Sequence, residues 1–205
     1  MTPLDAVQGC SQIYDLQPAG FADILSVDGI VAGTMPIPGG VAVVFRGSET
    51  LEDWFRDLDA AMVDFTTIGD VHQGFSEGME RFMSDVFPAL TGRIVLAGHS
   101  LGAARACILA GMLAPFDISV DELHLFGCPR PGGRELARIV NQNVRHIESY
   151  RNGRDPVPLV PDLADLYVPV IEPTAISFPG DPRDPFADHF IANYLRAIEA
   201  RCATP

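Results

Sequence analysis

Positive charge is scarce in this chain of 205 residues: 14 Lys and Arg stand against 27 Asp and Glu, a net charge of −13. A field of that sign repels phosphates, so nucleic acid and anionic membranes are poor partners while neutral molecules are tolerated. The few cations form no basic stripe, since Arg130, Arg134 and Arg138 are scattered among acids and apolar residues. Long apolar runs are missing too. AVVF and ACILAGMLA are the longest, far below the ~18 residues that span a bilayer, and no stable membrane insertion is expected. The four cysteines, Cys10, Cys107, Cys128 and Cys202, lack C-x-x-C spacing, which argues against a zinc or thioredoxin-like site. Cys107 and Cys128 read as small buried hydrophobes. Cys10 and Cys202 could pair only if the chain ends meet, and a reducing compartment would keep them as thiols. With no H-E-x-x-H, P-loop or dinucleotide fingerprint in context, neither metal nor cofactor is expected. Asp5 stands where a leader peptide would carry basic residues, so the expected location is cytoplasmic or otherwise soluble. No repeat, linker or low-complexity block divides the chain, which reads as one domain over residues 1–205.

What is present is a succession of short apolar segments punctuated by Gly and Pro. GIVAGTM and VAVVFRG flank the turn residues PIPGG and predict a β-hairpin. Leu51, Trp54, Phe55 and Leu58 follow at the spacing of one helical face. The same spacing runs from Phe75 through Met79, Phe82, Met83 and Val86 to Leu90, predicting a helix over 73–90. RIVLAG reads as a buried strand turning directly into the Ala-rich helix 103–114. ELHLFGCP and RHIESYRN are further strands, separated by the helical stretch GRELARIVNQN. This alternation implies βαβ units and a mainly parallel sheet, an α/β fold. DLYVPVIE suits a final edge strand, because Pro169 is tolerated at an edge, and FADHFIANYLRAIEARC closes the chain as a helix.

Between RIVLAG and its helix lies Gly98-His99-Ser100-Leu101-Gly102, the G-x-S-x-G pattern in which a sharp strand-to-helix turn lifts a serine hydroxyl clear of the sheet. A serine hydroxyl needs a base to take its proton and an acid to hold that base in one tautomer. In this class the order along the chain is Ser, acid, His, which selects His189. His124 and His146 sit on strands, where a structural imidazole is the more ordinary role. Asp155 follows a strand at its carboxyl end and is held extended by Pro156; Asp162 and Asp165 compete with it. The oxyanion formed on attack requires donors. The backbone N–H of Leu101 supplies one, and Ser48, just past VAVVFRG, is placed to supply the other, though it could equally cap the helix near Leu51.

From Val41 to Tyr194 these residues resemble the fungal-type, or class 3, lipases of the α/β-hydrolase fold. The likeness rests on FRGSETLEDWFRDL, VHQGF, VLAGHSLGAARA, FGCPRPG, NGRDPVPLVP and DHF, in that order. It implies a triad of Ser100, Asp155 and His189, an oxyanion hole of Ser48 and Leu101, and a structural place for His72. It also implies a lid over an acyl site at Leu51, Trp54, Phe55 and Leu58, residues that serve equally well as an ordinary packed helix. The chain departs from better-known members in being shorter, in lacking an evident leader, and in placing Ala103 and Ala104 where a second glycine often follows the elbow. Trimmed loops favour an open site. The expected activity is therefore hydrolysis of neutral, short-to-medium-chain acyl esters or acylglycerols, with transient contact at a lipid interface. The alternatives are acyl transfer through the same acyl-enzyme, or a catalytically silent binding protein on the same fold.

Overall fold

The computed structural model describes residues 1–15, 18–48, 62–65, 67–163, 166–184 and 186–203. The helix read over Leu51 to Leu58, with Trp54 and Phe55, lies outside the described residues, as does Asp165.

Helix α1 (Pro3–Gln12) is started by Thr2, whose hydroxyl accepts from the Asp5 N–H while the Asp5 carboxylate accepts from the Thr2 N–H. This reciprocal cap satisfies two orphan donors of the first turn. Strands β1 (Asp23–Val27), β2 (Ile30–Ile37) and β3 (Gly40–Phe45) form an antiparallel meander. A separate hairpin pairs β4 (Met62–Phe65) with β5 (Gly69–His72). The predicted helix over 73–90 is instead divided into α2 (Gln73–Ser76), α3 (Met79–Val86) and a 3-10 turn at Phe87–Ala89. The break falls at Gly78, whose φ of +77° is left-handed and whose close neighbour Asp28 leaves no room for a Cβ. The chain continues through β6 (Arg93–His99), α4 (Leu101–Leu113), β7 (Val120–Phe126), α5 (Arg134–Asn143), β8 (Val144–Asn152), β9 (Thr174–Ile176) and α6 (Ile191–Ala203).

The main sheet runs in the order β1-β2-β3-β6-β7-β8-β9, parallel from β3 onward. DLYVPVIE does not form its edge. Within that stretch Val168 makes an isolated bridge to Gly132, and the edge strand is the following Thr174–Ile176. Prolines at 169 and 173 remove donors that a continuous ladder would need.

Alternating strand residues feed two cores. Val43, Phe45, Leu96, Leu123 and Leu125 pack with α2 to α5, whereas Val44, Ala97, Phe126 and Tyr150 pack beneath α1 and α6. Helix α4 is buried at all thirteen positions, as suits an Ala-rich helix that carries one charged side chain, Arg105, among apolar ones. Among the described residues no helix is long and apolar enough to cross a membrane. Although α1 and α6 pack together, Cys10 is buried, Cys202 is exposed, and both are free thiols.

The register places the site. Phe45 lies beside Gly98, His99 beside Phe126, and Phe126 beside Tyr150, so β3, β6, β7 and β8 end at one edge of the sheet. The segments leaving those strands carry Ser48, Ser100, Gly127 and Asp155.

Candidate active site

Ser100 occupies the tight turn between β6 and α4 with φ 58° and ψ −132°, a conformation that L-residues rarely adopt. The flanking glycines make it feasible. A Cβ on Gly98 would stand 2.3 Å from the Gly102 carbonyl oxygen, and one on Gly102 would stand 2.5 Å from that of Phe45. The turn is held by the Ser100 N–H, which donates to the Phe126 carbonyl at 2.9 Å. Strain kept in place by such packing is a feature of functional sites.

The structure brings Asp155 and His189 together from 34 residues apart: His189 Nδ1 lies 2.7 Å from Asp155 Oδ2, with both side chains buried. A carboxylate oxygen can only accept, so Nδ1 carries the proton and Nε2 presents its lone pair. Asp155 Oδ2 also accepts from the Tyr194 hydroxyl at 2.6 Å, and Oδ1 accepts from the Val157 N–H at 2.9 Å. Burial pushes the Asp155 carboxyl upward, but the His189 charge and the hydrogen bonds from His189, Tyr194 and Val157 outweigh it and hold the group below its ordinary value. Gly127 makes room for the pair, since a Cβ there would lie 2.8 Å from the His189 ring. At this site Ser100 Oγ and His189 Nε2 are buried without a hydrogen-bond partner among the described residues. Both are the atoms that a proton transfer from serine to imidazole would use.

The competing residues lie elsewhere. Asp162 is 79% exposed and paired with Arg130. His124 is enclosed between Glu122 and Glu148, and His146 stands on the surface. His72 is buried and stacked on Phe75, in keeping with a structural place.

Beside the serine, Ser48 is half-buried on the segment leaving β3, and Leu101, first in α4, has an amide without an intrahelical acceptor. Gly47 packs so closely that a Cβ on it would sit 3.0 Å from the Ser100 Cβ. Sequence reasoning missed the side chains behind this turn. The Gly47 N–H donates to the Tyr14 hydroxyl at 3.0 Å, and Tyr14 in turn lies 3.0 Å from His99 Nδ1. His99 Nε2 lies 2.8 Å from the His189 carbonyl, which can only accept, so Nε2 bears the proton and Nδ1 accepts from Tyr14. One chain of contacts thus joins the Ser48 loop, the serine turn and the histidine backbone. The signal available in sequence was His99 itself, a polar residue inside an apolar strand.

Burial, helped by the neighbouring His189, lowers the His99 pKa to about 3. An unfolded histidine titrates near ~6.5, so between these values the unfolded chain binds more protons and stability falls as pH drops. From about pH 7 to about pH 5 the expected loss is roughly 2 kcal/mol. Urea unfolding at both pH values should show it in the wild type, and His99→Gln should lack that increment.

A cavity of about 680 Å³, lined by Val63, Phe65, Met83, Phe87, Met112 and Phe116 among others, lies toward the opposite end of α4. Met112 is eleven residues from Leu101, about 17 Å along the helix, so this cavity is not where Ser100 works. Among the described residues no three His, Cys, Asp or Glu side chains are grouped to hold a metal ion.

A serine on a strained strand-to-helix turn, beside a buried Asp–His pair at the carboxyl edge of a mainly parallel sheet, defines the α/β-hydrolase class. Residues 42–164 match the model of the lipase (class 3) family, and the chain belongs to that family. A secreted mono- and diacylglycerol lipase of Fusarium solani is 30% identical over 62% of this chain and 41% of its own length. Another, from Malassezia globosa, is 31% identical over 61% of this chain and 48% of its own. The chain thus matches less than half the length of these relatives. The same fold occurs in a triacylglycerol lipase whose catalytic centre is a serine protease triad, with TM-score 0.66 and 20% identity over 85% of this chain and 78% of that one.

Proposed function

We propose that the protein is a serine carboxylic-ester hydrolase acting through an acyl-enzyme on neutral acyl esters, acylglycerols among them, with residues 1–205 as one catalytic unit. The observation that carries this reading is the buried Asp155–His189 pair, which leaves His189 Nε2 available as a base, together with a Ser100 hydroxyl that has no hydrogen-bond partner among the described residues and stands at the same sheet edge. Membership of a family whose relatives are named for mono- and diacylglycerols supports the substrate class.

Nε2 takes the hydroxyl proton as Oγ bonds to the ester carbonyl carbon, and Asp155 stabilises the imidazolium. The carbonyl oxygen becomes an oxyanion that the Leu101 amide and Ser48 receive. Collapse breaks the bond to the alcohol, which leaves with the proton from Nε2. Water then gives a proton to Nε2, its oxygen attacks the acyl carbon, and collapse returns the proton to Ser100 and frees the acid.

The test is hydrolysis of p-nitrophenyl esters from acetate to laurate, followed by mono- and diacylglycerols with product analysis. A kcat/KM maximum at short or medium chains is expected, with acylglycerols cleaved to free acid. No turnover of any member by folded protein would refute the reading.

A further inference from the structure

The base of this site stands on backbone with little regular structure to hold it. Between β9 and α6 the described chain has only a 3-10 turn, Ala187–His189, yet a general base must be placed to within a fraction of an ångström. The stiffness comes from two buried polar side chains. Asp188 precedes His189, and its Oδ2 accepts the N–H of Arg154, the residue preceding Asp155, at 2.7 Å. Its Oδ1 accepts the Gly180 N–H, also at 2.7 Å. Asn152, fully buried at the end of β8, donates from Nδ2 to the carbonyls of Asp188 and Phe178 at 2.9 Å each. Its Oδ1 accepts the Phe178 N–H at 2.7 Å.

Four of these five bonds fasten Phe178 and Asp188 to residues 152–154, and the fifth, from Gly180, holds Asp188 to its own segment, so the neighbour of the base is tied to the neighbour of the acid. Gly153, between Asn152 and Arg154, admits the carboxylate: its φ is +47°, and a Cβ there would stand 2.6 Å from Asp188 Oδ2. The Arg154 guanidinium, 73% exposed and 3.8 Å away, adds little by comparison.

We propose that Asp188 and Asn152 are positioning residues for the hydrolysis: they touch no reacting atom, but set the distance and angle at which His189 meets Asp155 and Ser100. The inference rests on the serine-hydrolase reading above. Loosening the clamp misplaces the base in the transition state while leaving ester binding in place, so it is read in kcat rather than in KM.

The experiment compares wild type, Ser100→Ala, Asp188→Ala and the milder Asp188→Asn in the full chain. It records kcat and KM for p-nitrophenyl butyrate, a thermal melt, and the downfield proton resonance of the His189 Nδ1–H···Asp155 bond. Asp188→Ala should lose about 10²-fold in kcat with KM within about threefold. Its downfield resonance should shift upfield or broaden at temperatures where the melt shows it folded. Asp188→Asn keeps the side-chain shape and one acceptor, and should lose about tenfold in kcat with the same spectral change; it is read alone if the alanine variant does not fold. An unchanged resonance, or kcat within about threefold of wild type, in the folded variant would overturn the positioning role. If instead Ser100→Ala is as active as wild type, the underlying mechanism falls and the clamp with it, which separates the two failures.

Discussion

Replacing Ser100 with alanine is expected to lower kcat/KM for ester hydrolysis by at least ~10³-fold while leaving the protein as stable as before, or more so. The loss of activity follows from removing the one hydroxyl placed at the turn. The stability half of the prediction follows from the same geometry. Ser100 Oγ is buried without a partner among the described residues, so the folded state already bears the cost of desolvating it, and alanine removes that cost without opening a hydrogen bond. The positive φ at this position remains with alanine, so the backbone strain is unchanged. A urea midpoint equal to or above that of the wild type, together with silent kinetics, is the expected pair of results. A marked fall in stability would mean that the hydroxyl has a structural partner, and retained turnover would mean that another group is the nucleophile.

Much of this site was legible because its determinants are local. Gly98 and Gly102 announce a turn in which no Cβ fits, and the structure places backbone within 2.5 Å of where each Cβ would be. The apolar run RIVLAG forms a buried strand and the Ala-rich stretch after it a helix, as read. The place of Asp155 after a strand made it a candidate beside Asp162 and Asp165, since parallel strands of one sheet end together, and the family resemblance singled it out; the structure sets its carboxylate against His189. What escaped was fixed by contacts between distant segments. The 3.6-residue rhythm from Phe75 to Leu90 is real, and Phe75, Met79, Phe82, Met83 and Val86 are all buried, but Gly78 interrupts the helix where Asp28 from another turn comes close. DLYVPVIE has strand-like residues, yet one isolated bridge is all that Val168 makes, because the sheet is completed by the less apolar TAI that follows. Tyr14 and Tyr194 sit on an N-terminal segment and a C-terminal helix whose patterns record burial alone. Nothing in those patterns says that their hydroxyls meet His99 and Asp155 across 85 and 39 residues.

Asp155→Asn is expected to reduce kcat by roughly 10³- to 10⁴-fold, and the hydrogen bonds around the carboxylate say why. Oδ1 accepts the Val157 N–H, a main-chain donor that cannot reverse, so the amide oxygen of asparagine belongs at that position. The amide NH₂ then takes the place of Oδ2, where it meets His189 Nδ1 and the Tyr194 hydroxyl. Both must turn from donor to acceptor. For Nδ1 this means losing its proton to Nε2, which leaves the imidazole with no lone pair toward Ser100. The defect is one of tautomer rather than charge, so raising the pH should not restore activity. Stability carries a second signature. The Asp155 pKa is held below its unfolded value, so its ionised form stabilises the fold above that value, and the contribution fades as pH falls through the folded pKa. Asparagine lacks it. The variant should therefore unfold at lower urea than wild type near neutral pH, and the gap should narrow in acid. A gap constant with pH would place the effect in packing, whereas near-wild-type kcat would mean that His189 is oriented by some group other than Asp155.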